Sequence, residues 1–103
     1  MNPIIKDKLE ALKDLCLEHR VERLDVFGSA ARDDFDPEAS DLDFLVAFES
    51  MSPADHADSF FGLLEDLERL FGRRIDLLEP DPIKNPYLRQ SIERSRKVLY
   101  EAA

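Results

Sequence analysis

The sequence predicts an α/β or α+β domain, a small sheet backed by helices. Two features predict it. Three short apolar segments bounded by turn residues read as strands, and between them apolar residues recur every three or four positions, as on one helix face. The order is helix, strand, short helix, strand, long helix, strand, helix, with no internal repeat or low-complexity stretch. At 103 residues there is material for one core, so residues 1–103 are expected to form a single domain.

In Ile4 to His19, the residues Ile5, Leu9, Leu12 and Cys16 make one helical stripe, and Glu18-His19-Arg20 marks its end. Val21, Leu24, Val26 and Phe27 are extended and lead into Gly28. Ala30-Ala31-Arg32 reads as a short helical turn, and Asp33 to Ala39 as a polar loop containing Pro37. Leu42 to Phe48 is the most strand-like segment, and its continuous run Phe44-Leu45-Val46 suits burial on both faces. Ser52 followed by Pro53 is a helix start, with Ser as N-cap and Pro in the first position. Phe60, Leu63, Leu64, Leu67, Leu70 and Phe71 form the clearest amphipathic stripe, and Gly72 stops that helix. Arg74 to Glu79 is the third strand, Pro80 and Pro82 punctuate a loop, and Asn85-Pro86 opens a last helix with Leu88, Ile92 and Leu99 on one side.

Composition narrows the function. The net charge of −9 argues against stable nucleic-acid binding through phosphate neutralisation, and it suits divalent cations, a basic protein partner or plain solubility. No apolar run reaches the ~20 residues of a membrane span. Lys6, Asp7 and Lys8 interrupt the N-terminus where a signal peptide needs an apolar stretch, so a cytoplasmic location is expected. Cys16 is the only cysteine, which excludes an internal disulfide and a cysteine-based zinc site; on the apolar helix face it reads as a core thiol.

The stretch from Gly28 to Val46 carries the chemistry. Gly28-Ser29 follows a strand, and such a turn, with a helix start behind it, can offer N–H groups to phosphate oxygens. Further on, Ser40-Asp41-Leu42-Asp43 opens the second strand. Alternation along a strand puts Asp41 and Asp43 on one face, where they repel unless a cation lies between them. Asp76 is a third acid inside an apolar strand, a costly position unless it is paired or coordinating. If that strand lies beside the second, the three carboxylates can hold two Mg²⁺ ions for in-line phosphoryl or nucleotidyl transfer, with Asp76 nearest the acceptor and able to take its proton.

Gly28-Ser29-Ala30-Ala31-Arg32, then Ser40-Asp41-Leu42-Asp43-Phe44-Leu45-Val46, resembles the minimal nucleotidyltransferase (MNT) family of the DNA polymerase β-like superfamily. Ile75-Asp76-Leu77-Leu78, Asn85-Pro86-Tyr87-Leu88 and a closing Val98-Leu99-Tyr100 look like the family's tail, so the resemblance covers nearly the whole chain and no acid is missing. It implies a small mixed sheet backed by helices and transfer of a nucleoside monophosphate, usually AMP from ATP, to a hydroxyl. Many members are antitoxins of a HEPN-domain ribonuclease toxin, which they adenylylate on tyrosine or block by binding. Carried over by position, Gly28 and Ser29 hold the triphosphate together with Ser40. Asp41 and Asp43 bind both metals, and Asp76 binds one and activates the acceptor. Arg32 either neutralises phosphate or pairs with an aspartate of its own loop. Asp33, Asp34 and Asp36 carry no assignment.

Larger nucleotidyltransferases hold the acceptor with an additional domain, and this chain leaves no residues for one. The acceptor is therefore expected on a partner protein, the HEPN toxin. A non-catalytic antitoxin acting by occlusion and transfer to a small molecule remain as alternatives. His19 and His56 read as surface residues, and Asp58, Glu65, Asp66 and Glu68 as the solvated face of the long helix. Phe60, Phe61 and Phe71 sit at helical spacing and read as core or partner interface. Tyr87 and Tyr100 read as packing against the last helix, with Tyr87 alternatively a modification site.

Overall fold

The structure is a computed structural model that describes residues 2–32, 41–80 and 84–103. Helix α1 spans Pro3–Lys6 and α2 spans Leu9–Glu18, so the expected single helix is broken at Asp7 and Lys8. Its stripe survives the break, with Ile5, Leu12 and Cys16 all buried. Arg20 then takes a left-handed turn at φ 59 that ends the helical segment and feeds β1, Val21–Phe27. A 3₁₀ turn at Gly28–Ala30 follows, then β2 at Leu42–Phe48.

Helix α3 runs Pro53–Phe71 between the predicted caps: the Ser52 hydroxyl accepts from the Asp55 N–H at 3.2 Å, and Gly72 closes it at φ 61. Strand β3 is Ile75–Leu78, shorter at each end than expected. Helix α4 spans Pro86–Ser95, capped by the Asn85 side chain, which accepts from the N–H groups of Tyr87 and Leu88.

The chain then departs from the sequence reading. Lys97–Glu101 is a fourth strand, β4, paired antiparallel with β1, and Leu99 belongs to it and not to the last helix. The helical spacing of Ile92 and Leu99 is coincidental, because Arg96 leaves the helix in extended geometry (φ −60, ψ 137). Its guanidinium turns inward to the buried carboxylate of Asp25, with Nε 2.7 Å and NH2 2.5 Å from Oδ2.

The sheet order is β3-β2-β1-β4, with β1 antiparallel to both neighbours and β2 parallel to β3. It is therefore mixed, with α3 making the crossover that a parallel pair requires. Alternation divides the side chains between two faces. Leu24, Val26, Leu42, Phe44, Val46, Ile75 and Leu77 point to one side and pack with Leu12, Cys16, Leu63 and Leu67 of α2 and α3. Phe27, Leu45 and Leu78 point to the other and meet Ile92 of α4. No helix among the described residues is long and apolar enough to cross a membrane.

Candidate active site

Because β1 and β2 are antiparallel and β2 and β3 parallel, Phe27, Asp43 and Asp76 fall opposite one another in a row across three strands. Alternation puts Asp43 and Asp76 on the α4 side, the face that also carries Phe27, Leu45 and Leu78. Asp41 sits one residue before β2, two from Asp43, and so belongs to the same side. The structure thus brings together the pair that the sequence could join only if β3 lay beside β2. Asp43 is half-buried, whereas Asp41 and Asp76 are exposed.

This crowding has a measurable consequence. The Asp43 carboxyl is pushed up from 3.8 to about 6, first by burial, then by the charge of and a hydrogen bond with Asp76, and then by the charge of Asp41; Arg32 opposes the rise. Asp43 is the most enclosed of the three. Crowded oxygen donors of this kind fit a hard divalent cation, whose charge would offset their repulsion.

Gly28 stands against this pair for two reasons of shape. Its φ of 70 is the left-handed region that favours glycine, and a Cβ there would lie 2.5 Å from Asp43 Oδ2. Its N–H group, expected to serve phosphate, is already donated to Ser95 Oγ at 2.9 Å. Gly28 therefore contributes clearance for Asp43, and Ser29, half-buried in the same 3₁₀ turn, follows it. Arg32 is exposed and near enough for its charge to act on Asp43. Ser40, with the loop aspartates Asp33, Asp34 and Asp36, Pro37 and also Pro82, lies outside the described residues.

Three residues that sequence reasoning missed hold this arrangement. Asp25, fully buried, accepts from Arg96 and from Arg23 Nε at 2.9 Å, so its charge is paired on both oxygens. The Ser95 hydroxyl, also buried, donates to the Ser91 carbonyl at 3.0 Å, which leaves a lone pair for the Gly28 N–H. Arg96 and Ser95 thus tie the end of α4 to β1 and to the Gly28 turn. An acid set between apolar residues, Leu24-Asp25-Val26, was the available signal.

The histidines also differ from expectation. His19 is only 15% exposed at its side chain and bonds Asp66 at 2.6 Å, while a Cβ on Gly62 would meet its ring at 2.9 Å. Asp66 is accordingly half-buried and serves the α2–α3 joint, unlike the exposed Asp58, Glu65 and Glu68 of the same helix. With Glu18 these form the one group of three metal-capable side chains among the described residues whose ligand atoms all lie within 4.8 Å, and it lies apart from the aspartate row. His56 bonds Glu79 at 2.5 Å and is partly exposed. Cys16 is buried and its thiol pushed up to about 12 by that burial, as a core residue should be. Phe61 and Tyr87 are exposed, whereas Phe60, Phe71 and Tyr100 pack against the core.

The candidate site thus combines a left-handed glycine turn after the first strand with carboxylates in register on the next two strands, between helices on both faces. Residues 5–99 match the family model of the nucleotidyltransferase domain, and the chain belongs to that family of enzymes. Two proteins of Methanocaldococcus jannaschii, both provisionally named protein adenylyltransferases, are similar. MJ0128 is 40% identical over 90 residues, covering 86% of this chain and 88% of the relative. MJ1379 is 33% identical over 90 residues, covering 87% and 85%. A solved structure provisionally described as a minimal nucleotidyltransferase superposes with a TM-score of 0.66 at 36% identity over 94% of this chain and 95% of that one. The same fold recurs, at 16% identity and a TM-score of 0.61, in the complex of a tri-AMPylated Shewanella oneidensis HEPN toxin with its MNT antitoxin; the match covers 94% of this chain and 72% of that one.

Proposed function

We propose that this chain is a Mg²⁺-dependent adenylyltransferase that moves AMP from ATP to a tyrosine hydroxyl of a partner HEPN toxin, and so acts as an antitoxin. The observation that carries the reading is the register of Asp43 with Asp76 beside Gly28, with Asp41 on the same face. The names of the relatives, and the adenylylated toxin bound to a protein of this fold, support the choice of a protein acceptor.

In this reading Asp41 and Asp43 hold the metal ions and Asp76 joins them on one. Bound there, the ions supply charge neutralisation at the reacting phosphate and lower the pKa of the acceptor hydroxyl. Asp76, exposed at the end of the row, faces the incoming acceptor and takes its proton. Gly28 keeps space open above Asp43, Ser29 hydrogen-bonds the triphosphate with Ser40, and Arg32 offsets its charge. The acceptor oxygen bonds to the α-phosphorus, the bond from that phosphorus to the β-bridging oxygen breaks, and pyrophosphate departs with the electron pair.

The test is intact mass spectrometry of the protein encoded beside this one, after incubation with the chain, ATP and Mg²⁺. The expected result is a gain of one or more AMP units that disappears with Asp41→Ala. An unchanged mass beside a stable complex of the two proteins would replace catalysis with occlusion.

A further inference from the structure

The outer face of α4 bears a second feature next to the Gly28 turn. Tyr87, Gln90, Ser91 and Arg94 are spaced three to four residues apart or adjacent and share one side of the helix, while Ile92 and Ser95 are buried on the other. With Arg32 and Ser95, those four line a cavity of about 420 Å³. Ser95 belongs to its wall and accepts the Gly28 N–H, so the cavity lies directly against the turn that borders Asp43.

Its chemistry is selective. The chain carries 23 acidic residues and 14 Lys and Arg, yet the described lining contains two arginines and no carboxylate. Every side chain of that lining can donate a hydrogen bond. Arg94 is also unlike its neighbours: Arg23, Arg69 and Arg96 are each held by carboxylates, whereas Arg94 pairs with none among the described residues. A guanidinium unpaired among the described residues of an acidic protein and lining a donor-rich cavity suits a polyanion with oxygen atoms set for bidentate contact.

We propose that this cavity seats the β- and γ-phosphates of the nucleotide, and that Arg94 of α4, outside the Gly-Ser and Asp-x-Asp segments, binds them together with Arg32. The assignment rests on the nucleotidyl-transfer reading above and adds to it the group that receives the leaving pyrophosphate. As the bond from the α-phosphorus to the bridging oxygen breaks, that oxygen takes the electron pair, and the added charge falls where the two guanidinium groups stand.

The probe is inorganic tripolyphosphate with Mg²⁺, titrated calorimetrically into the purified chain. Binding is expected in the wild type, weakened roughly tenfold or more in Arg94→Gln, partly restored in Arg94→Lys and unchanged in Lys97→Gln, a control on exposed β4. Equal affinity of Arg94→Gln and wild type, or no binding by the wild type, would overturn the proposal. Thermal melts should not separate Arg94→Gln from the wild type, since the side chain is exposed and pairs with no carboxylate among the described residues. Adenylylation of the partner is followed separately. Arg94-dependent tripolyphosphate binding without transfer sinks the transfer reading and leaves the cavity assignment standing; transfer with Arg94-independent binding does the reverse.

Discussion

On the α2 and α3 side of the sheet, Leu24, Val26, Phe44, Val46 and Leu77 meet Leu12, Leu63 and Leu67, and the contact is apolar throughout. On the α4 side a single isoleucine, Ile92, covers Phe27, Leu45 and Leu78, and the same face carries Asp25, Asp43 and Asp76. Both buried polar side chains among the described residues, Asp25 and Ser95, lie there as well. One face therefore carries most of the hydrophobic stabilisation, and the other is left free to crowd like charges, a configuration a small domain tolerates only where its core is secured elsewhere.

Substitutions on each face should separate these roles. The largest effect is expected from Asp43→Asn, which keeps the shape beside Gly28 but removes the charge of the proposed metal ligand. AMP transfer to the partner should fall on the order of 10³-fold, measured with labelled ATP, while the circular dichroism spectrum stays that of the wild type. Transfer within a few-fold of wild type would remove Asp43 from the site.

Leu63→Ala, on the apolar face, should do the opposite. Leu63 is fully buried, and the truncation should cost about 3 kcal/mol in urea denaturation. Transfer per folded molecule should be little changed. A loss of transfer as large as that of Asp43→Asn would mean that the two faces are not separable.

The smallest effect is on pH. Folded Asp43 titrates near 6 against an ordinary 3.8, so the folded chain holds more protons between these values. Its contribution to stability is full below about pH 4 and is lost as pH rises through 6. The change is on the order of 1 kcal/mol after screening at a half-exposed group is allowed for. Chemical denaturation at pH 4 and pH 7 should show that decline, reduced in Asp43→Asn. The same proton competes with metal, so the apparent Mg²⁺ requirement should sharpen as pH falls below 6.

Features written in neighbouring residues were legible in the sequence. Ser52-Pro53, Gly72 and Asn85-Pro86 bound their helices because a cap acts within one turn. Gly28 and the Asp41–Asp43 pair were legible for the same reason, and Asp76 from its cost in an apolar strand. The residues missed are those whose partners lie far along the chain. Asp25 and Arg96 are 71 positions apart, and Gly28 and Ser95 are 67 apart. β4 escaped because Leu99 falls at helical spacing from Ile92, whereas the chain leaves the helix at Arg96, whose side chain pairs with the distant Asp25. His19 escaped because its seat is an empty space, the missing side chain of Gly62 on another helix.

The bond between Ser95 and Gly28 also sets an order of events in the cell. Gly28, Asp43 and Asp76 are all synthesised before Ser95, Arg96 and the strand that pairs with β1. Without them the glycine turn lacks the Ser95 hydroxyl and Asp25 lacks the Arg96 guanidinium, so the aspartates stand without the contacts that hold the turn beside them. Closing contacts across such sequence separations is slow. The candidate site is therefore completed only when β4 has joined the sheet, and a chain cut short before Ser95 keeps its aspartates but loses the bond that holds the glycine turn against them.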